Sequence, residues 1–169
     1  MAIDAIVKPL LGIDLFRGLK PLQITEIARR ADRIVYRPGD VIVSEDATGD
    51  AAILIIAGDA RRVSGPGLSV DDMDAEPVVP GSLVAEMAML VDTVHSSTLV
   101  AKSAVRALKI SRFEMQEQML EDPALAHHFM NRITGRLSQL AQDMRAIDSI
   151  LAESTARTQS ASPAAQTLH

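Results

Sequence analysis

Cysteine is absent from this 169-residue chain, and so is tryptophan. Without cysteine there is no disulfide framework, no thiolate metal site and no iron–sulfur cluster. Aromatic residues make up only 2% of the chain, with a single tyrosine, while 47% is hydrophobic, so the core is built from Val, Ile, Leu, Met and Ala. That poverty argues against stacking platforms for bases or single-stranded nucleic acid. Excess positive charge is missing as well: 17 Lys and Arg face 22 Asp and Glu, a formal net charge of -5. A phosphate backbone would be repelled rather than attracted, so no nucleic-acid partner is expected. No apolar run approaches the ~20 residues of a membrane span. The opening Met1-Ala2-Ile3-Asp4-Ala5-Ile6 has no basic segment ahead of a long apolar one, so no export signal is read there. A soluble, cytoplasmic protein with no membrane association is expected.

What is present separates into four regions. Over 1–31, Ile6, Leu10, Leu11, Leu15, Phe16, Leu19, Leu22, Ile24 and Ile27 recur at mixed helical spacing, broken by Pro9, Gly12, Gly18 and Pro21. Short helices joined by turns are predicted. Over 32–110 the pattern changes to short apolar runs: Ile34-Val35-Tyr36, Val41-Ile42-Val43, Ile53-Leu54-Ile55-Ile56, Leu99-Val100 and Val105 to Ile110. Turn formers separate them at Pro38-Gly39-Asp40, Gly49-Asp50, Gly58-Asp59, Gly65-Pro66-Gly67 and Pro80-Gly81. Many short strands at regular intervals predict a sandwich or barrel. The region 111–153 turns helical again, with one helix from about Arg112 and a longer one opened by Pro123. In the longer helix Met130, Ile133, Leu137, Leu140, Met144, Ile147 and Leu151 are spaced 3, 4, 3, 4, 3, 4. A strict heptad seam is narrower than most intramolecular helix faces, so a parallel coiled coil in a homodimer is favoured over packing on the chain's own strands. The tail 154–169 is rich in Ser, Thr, Ala and Gln without apolar period, and disorder is expected there.

Ordered this way, the chain resembles the cyclic-nucleotide-binding domain family, the sensor half of bacterial cAMP-receptor-type regulators, kinase regulatory subunits and nucleotide-gated channels. The resemblance runs from about Leu15 to Ile150. It rests on Leu15-Phe16 with Leu19, Arg37-Pro38-Gly39-Asp40, Gly49-Asp50, Gly58, Pro80-Gly81 and the run Gly81-Ser82-Leu83-Val84-Ala85-Glu86-Met87-Ala88-Met89-Leu90 followed by His95-Ser96-Ser97-Thr98. It implies an α+β fold: a double-stranded, jelly-roll-like β-roll flanked by N-terminal helices and a long C-terminal helix. It also implies a phosphate cassette, with Leu83, Val84, Ala85, Glu86, Met87, His95, Ser96 and Ser97 as ligand-binding residues and cAMP or cGMP as ligand.

A tight turn into a helix offers unpaired N–H groups to a cyclic phosphate, an arginine adds a charge-assisted contact, and a carboxylate accepts from the ribose hydroxyl. By the resemblance Glu86 is the ribose acceptor, and Ser96, Ser97 and Thr98 carry hydroxyls suited to a phosphate oxygen. Three positions depart from the pattern. Ala85 replaces the glycine before the glutamate, and a Cβ there crowds the approach to phosphate. His95 stands where the family places arginine, and histidine carries no permanent charge near neutral pH. Leu140 and Ala141 occupy the places from which cAMP-receptor relatives present hydroxyls to the base. His95 reads three ways: a structural histidine in a degenerate pocket, a pH-sensitive phosphate contact, or a contact to another ligand. Adjacent His127 and His128 project about 100° apart and do not converge on one metal ion. The acidic run Asp71-Asp72-Met73-Asp74-Ala75-Glu76 lacks the glycine and terminal glutamate of a calcium loop and reads as a solvated loop. No metal is expected.

No nucleophile–base or paired-carboxylate constellation stands out, so an enzyme is not expected. The stretch after the seam is too short for a helix-turn-helix, which leaves a stand-alone regulatory module as the leading expectation. The alternative is a protein-interaction module whose pocket is vestigial and whose barrel surface and seam recruit a partner protein.

Overall fold

The computed structural model describes residues 4–64 and 75–160. The chain divides into two compact units, Met1–His127 and His128–His169.

The first unit opens with helices α1 (Asp4–Leu11) and α2 (Pro21–Arg30), with a 3-10 turn over Asp14–Phe16 between them. Ile6, Leu10, Leu15, Phe16, Ile24 and Ile27 from this segment are buried, whereas Leu11 and Leu22 stay exposed. Pro21 takes the first position of α2, where its missing N–H costs nothing, and the Lys20 N–H donates to Gln23 Oε1.

Among the described residues ten strands follow: β1 (Asp32–Tyr36), β2 (Val41–Val43), β3 (Thr48–Gly49), β4 (Ala51–Ala57), β5 (Ala60–Val63), β6 (Glu76–Val78), β7 (Leu83–Val84), β8 (Thr93–Val94), β9 (Thr98–Ala101) and β10 (Val105–Ser111). They pair antiparallel as one four-stranded sheet β1-β10-β4-β7, a second β2-β9-β5-β6 and a two-stranded ribbon β3-β8. Side chains from both larger sheets share a single core: Ile53, Ile55, Val105 and Ala107 from the first, Ile42, Ala60, Val78 and Leu99 from the second. The α+β architecture read from the sequence is therefore present. Among the described residues, however, the strands hydrogen-bond as three separate sheets and do not close into one barrel. Gly49, read as a turn residue, lies in β3. Five runs were too short or too charged to register as strands, β3, β5, β6, β7 and β8.

Gly58 makes the β4–β5 turn, and two constraints select it. Its φ is +94°, and a Cβ would fall 2.3 Å from the Ala104 carbonyl oxygen. The β9–β10 turn presses against it there: Lys102 N–H and Ser103 N–H both donate to the Asp59 carbonyl, and Ser103 Oγ accepts from Asp59 N–H.

Strand β10 runs directly into α3 (Arg112–Glu121), whose N-cap Ser111 accepts from the Glu114 N–H. Arg30 of α2 pairs with Glu121 and Glu114 of α3, and Gln23 Nε2 donates to Asp122 Oδ2. Asp122 also accepts, through Oδ1, from the N–H groups of Ala124 and Leu125, so it caps α4 (Pro123–Ser160) while holding α2.

The second unit is the body of α4. The helix continues to Ser160, beyond the expected boundary at 153, so 154–160 are helical rather than disordered; 161–169 lie outside the described residues. Met130, Leu137, Leu140, Met144, Ile147 and Leu151 are each more than half exposed, and Ile133 is half-buried. The other acidic-run residues, 71–74, also lie outside the described residues. Among the described residues no helix is long and apolar enough to cross a membrane.

The Gln23 amide, followed by the backbone donors of Ala124 and Leu125, holds the Asp122 carboxyl below its ordinary value of 3.8. A lowered folded-state pKa stabilises the fold above the unfolded pKa, fully so above about pH 5, and the benefit disappears as pH falls through the folded value. Asp122→Asn is expected to lower stability at neutral pH, with the difference from wild type closing once both side chains are uncharged. Urea denaturation at pH 7, 4 and 2.5 checks this, and a difference that persists at the lowest pH contradicts it.

Candidate functional site

The site begins at the end of β7. That strand pairs with β4 through Ile53↔Val84 and Leu54↔Leu83, and the Pro80-Gly81 turn before it is tied to the same strand by Gly81 N–H to the Ile55 carbonyl. After Val84 the chain breaks out of extended structure at Ala85, with φ 54° and ψ 35°, and enters a 3-10 turn over Glu86–Met89. Left-handed backbone costs a non-glycine residue about 1–2 kcal/mol, so the family's glycine preference at this position has a conformational cause beside the steric one. Ala88 and Met89 are fully buried and Leu90 nearly so. Burying a side chain such as Met89 contributes about 1.5–3 kcal/mol, and this anchors the turn despite the strain at its entry.

The far side of the site is fixed by the ribbon. Thr93 and Val94 of β8 pair with Gly49 and Thr48 of β3. The next residue, His95, is held at both backbone groups: its N–H donates to the Ala47 carbonyl, and its carbonyl accepts from the Asp46 N–H. Its ring lies over Gly49. A Cβ at Gly49 would sit 2.7 Å from His95 Cε1 and 2.7 Å from the Ala88 Cβ, so glycine at 49 is what lets cassette turn and imidazole pack together.

Arg112, read from the sequence only as the start of α3, clamps this assembly. Its guanidinium donates to the carbonyls of Val91 (2.8 Å) and Gly49 (3.3 Å) and pairs with Asp92 (2.8 Å), while its N–H donates to the Asp50 carbonyl. One largely buried side chain thereby joins the end of the cassette, the ribbon and the helix that follows β10.

Leu83, Val84, Ala85, Glu86, Met87, His95, Ser96 and Ser97 all line one cavity of about 590 Å³. Thr98 is not among its lining residues; its Oγ1 accepts from the Glu45 N–H instead. Arg62, Ser64 and Thr93, not singled out in the sequence, also line the cavity, as does Glu76, which opens β6 instead of lying in the solvated loop expected of the acidic run. Their signal was weak: Arg61-Arg62 in a short polar run does not say which side chain turns inward. A second cavity of about 300 Å³, lined by Tyr36, Ile42, Asp50 and Lys109 among others, has His95 on its wall too. Burial there pushes the Tyr36 phenol above its ordinary value of 10.0. Among the described residues no three His, Asp or Glu side chains cluster so as to hold a metal ion.

The cyclic nucleotide-binding domain model matches residues 33–122, and the chain belongs to that family. Among individual proteins, it is 32% identical over 104 residues to the cAMP-dependent protein kinase regulatory subunit of Aspergillus fumigatus, covering 59% of this chain and 23% of that one. The chain thus spans about a quarter of the length of this curated relative. Its fold is similar to the N-terminal domain of a transcriptional regulator from Streptomyces coelicolor A3(2), with a TM-score of 0.70 at 20% identity over 80% of this chain and 94% of that one. It is also similar to a cyclic nucleotide-binding-like protein from Brucella abortus, with a TM-score of 0.61 at 28% identity over 69% and 97% of the two chains.

Replacing Ala85 by glycine removes the left-handed penalty of about 1–2 kcal/mol, offset by about 0.5–1 kcal/mol of extra backbone entropy lost on folding. Ala85→Gly is expected to raise stability by a net of about 0.5–1 kcal/mol. A lower midpoint in urea denaturation contradicts that account of the cassette entry.

Proposed function

We propose that this chain is a non-catalytic regulatory module that binds cAMP, cGMP or a related anionic ligand weakly in the 590 Å³ cavity and dimerises through α4. The observation that carries the reading is that Leu83, Val84, Ala85, Glu86, Met87, His95, Ser96 and Ser97 line one cavity, in a chain of the cyclic nucleotide-binding domain family. The likeness to a cAMP-dependent kinase regulatory subunit supports cAMP as the first ligand to try. In this reading Glu86 accepts from the ribose, and Ser96 and Ser97 meet the phosphate. Weakness follows from His95 in place of arginine: losing one charge-assisted contact lowers affinity by about 1.5–3 kcal/mol, roughly ten- to a hundredfold. The protein works in the cytoplasm, without a metal.

The same histidine favours the second reading, an interaction module with a vestigial pocket that recruits a partner protein. Calorimetric titration with cAMP and with cGMP separates the two. Under the first reading wild type binds in the micromolar range or weaker, Glu86→Ala weakens binding about tenfold, and His95→Arg, alone or with Ala85→Gly, strengthens it by a comparable factor. Absence of heat at millimolar nucleotide for wild type and for both gain-of-affinity variants leaves only the interaction module.

Dimerisation is supported by the exposed heptad seam of the second unit, from Met130 through Ile133, Leu137, Leu140, Met144 and Ile147 to Leu151. A run of apolar side chains at 3-4 spacing, all but the half-buried Ile133 left to solvent, is the pattern a second copy of the same helix covers in a parallel coiled coil. Leu140→Asp is expected to yield monomers in sedimentation velocity while leaving the melting profile of the first unit in place. A dimer that survives this substitution moves the interface away from the seam.

A further inference from the structure

Position 95 holds histidine where the family pattern places arginine, so a permanent counter-charge for a cyclic phosphate is sought elsewhere in the cavity. Among the described residues only one Lys or Arg lines the cavity, Arg62, and it shares the lining with two carboxylates, Glu76 and Glu86. Its placement is set by strand register. Arg62 of β5 stands opposite Leu99 of β9 and opposite Glu76 of β6. Residues facing one another across antiparallel strands project to the same side. Leu99 is a core residue that also lines the cavity, so Arg62 is turned inward with it. One register step away Val63 pairs with Thr98, immediately after the Ser96-Ser97 hydroxyls. Arg62 thus enters the cavity from the second sheet, whereas the turn that carries Glu86 follows β7 of the first.

We propose that Arg62 is the phosphate counter-ion of this site, taking over from β5 the charge that the cassette lacks at His95, and that Glu76 is its resting partner, released when ligand arrives. The Arg62–Glu76 contact suits that exchange: Nη1 and Oε2 are 3.4 Å apart, with the two side chains 37% and 66% exposed. Ion pairs so long and so open to water are weak, whereas a cyclic phosphate offers two oxygens to a planar guanidinium. Three groups then divide the work: Glu86 for the sugar, Ser96 and Ser97 for orientation, Arg62 for charge. Glu76 sets how strongly a ligand must compete for the guanidinium, and so tunes affinity.

This inference rests on the nucleotide-binding reading above, and the test distinguishes the failure of each. Calorimetric titration with cAMP is compared for wild type, Arg62→Gln, Glu76→Gln, His95→Arg and the double variant Arg62→Gln with His95→Arg, each checked for an unchanged melting temperature. Arg62→Gln is expected to lower affinity about tenfold or more, and Glu76→Gln to raise it about two- to fivefold. The double variant regains wild-type affinity, because the charge has been returned to the cassette. Opposite signs are decisive: a cross-strand pair that only supports the sheet shifts both variants in one direction. Wild-type binding left within twofold by Arg62→Gln, or weakened equally by Glu76→Gln, overturns the role of Arg62 and leaves the nucleotide reading standing. No binding by wild type or by His95→Arg removes the nucleotide reading and this inference with it.

Discussion

Strand β4 is the constraint on which the rest of the first unit hangs. Its residues Ala51, Ala52, Ile53, Leu54 and Ile55 are all buried, the pattern of a strand covered on both faces rather than on one. β10 pairs along one edge from Ser111↔Ala51 to Arg106↔Ala57, and β7 along the other. The first pairing carries the chain into α3; the second carries it into the cassette. Because both leave from the same strand, the cavity and the start of α3 share one frame, and Arg112 closes the frame at its open corner by gripping Val91, Gly49 and Asp92.

Much of this was legible in the sequence, and for physical reasons. The runs Ile53-Leu54-Ile55-Ile56 and Val105 to Ile110 are long and apolar enough to announce strands, and Pro123 marked the start of α4 because its fixed φ and missing N–H suit the first helical position. The cavity-lining residues 83–87 and 95–97 were legible because they fall in two short runs of the chain. Two kinds of feature were hidden. One is short polar strands: β5 and β6 carry Arg61, Arg62 and Glu76 where alternation gives no clean signal, so the inward turn of Arg62 emerged only from its register with Leu99. The other is backbone geometry, since nothing in the letters said that Ala85 adopts φ 54° or that Thr98 is already engaged by the Glu45 N–H.

The cavity's electrostatics also differ from what a linear reading suggests. Read along the chain, the cassette holds one carboxylate, Glu86, and no fixed cation. Read across the sheets, its lining holds Arg62 and Glu76 as well. The charge of a binding site is a property of strand pairing as much as of a motif, and a motif with a missing residue is not by itself a broken site.

Gly49 holds a last consequence. A methyl group there would collide at once with the Ala88 Cβ and with the His95 ring, so what residue 95 is free to become depends on residue 49 remaining bare. The two positions are therefore coupled sterically: a larger residue at 49 displaces the residue 95 side chain and the cassette turn together.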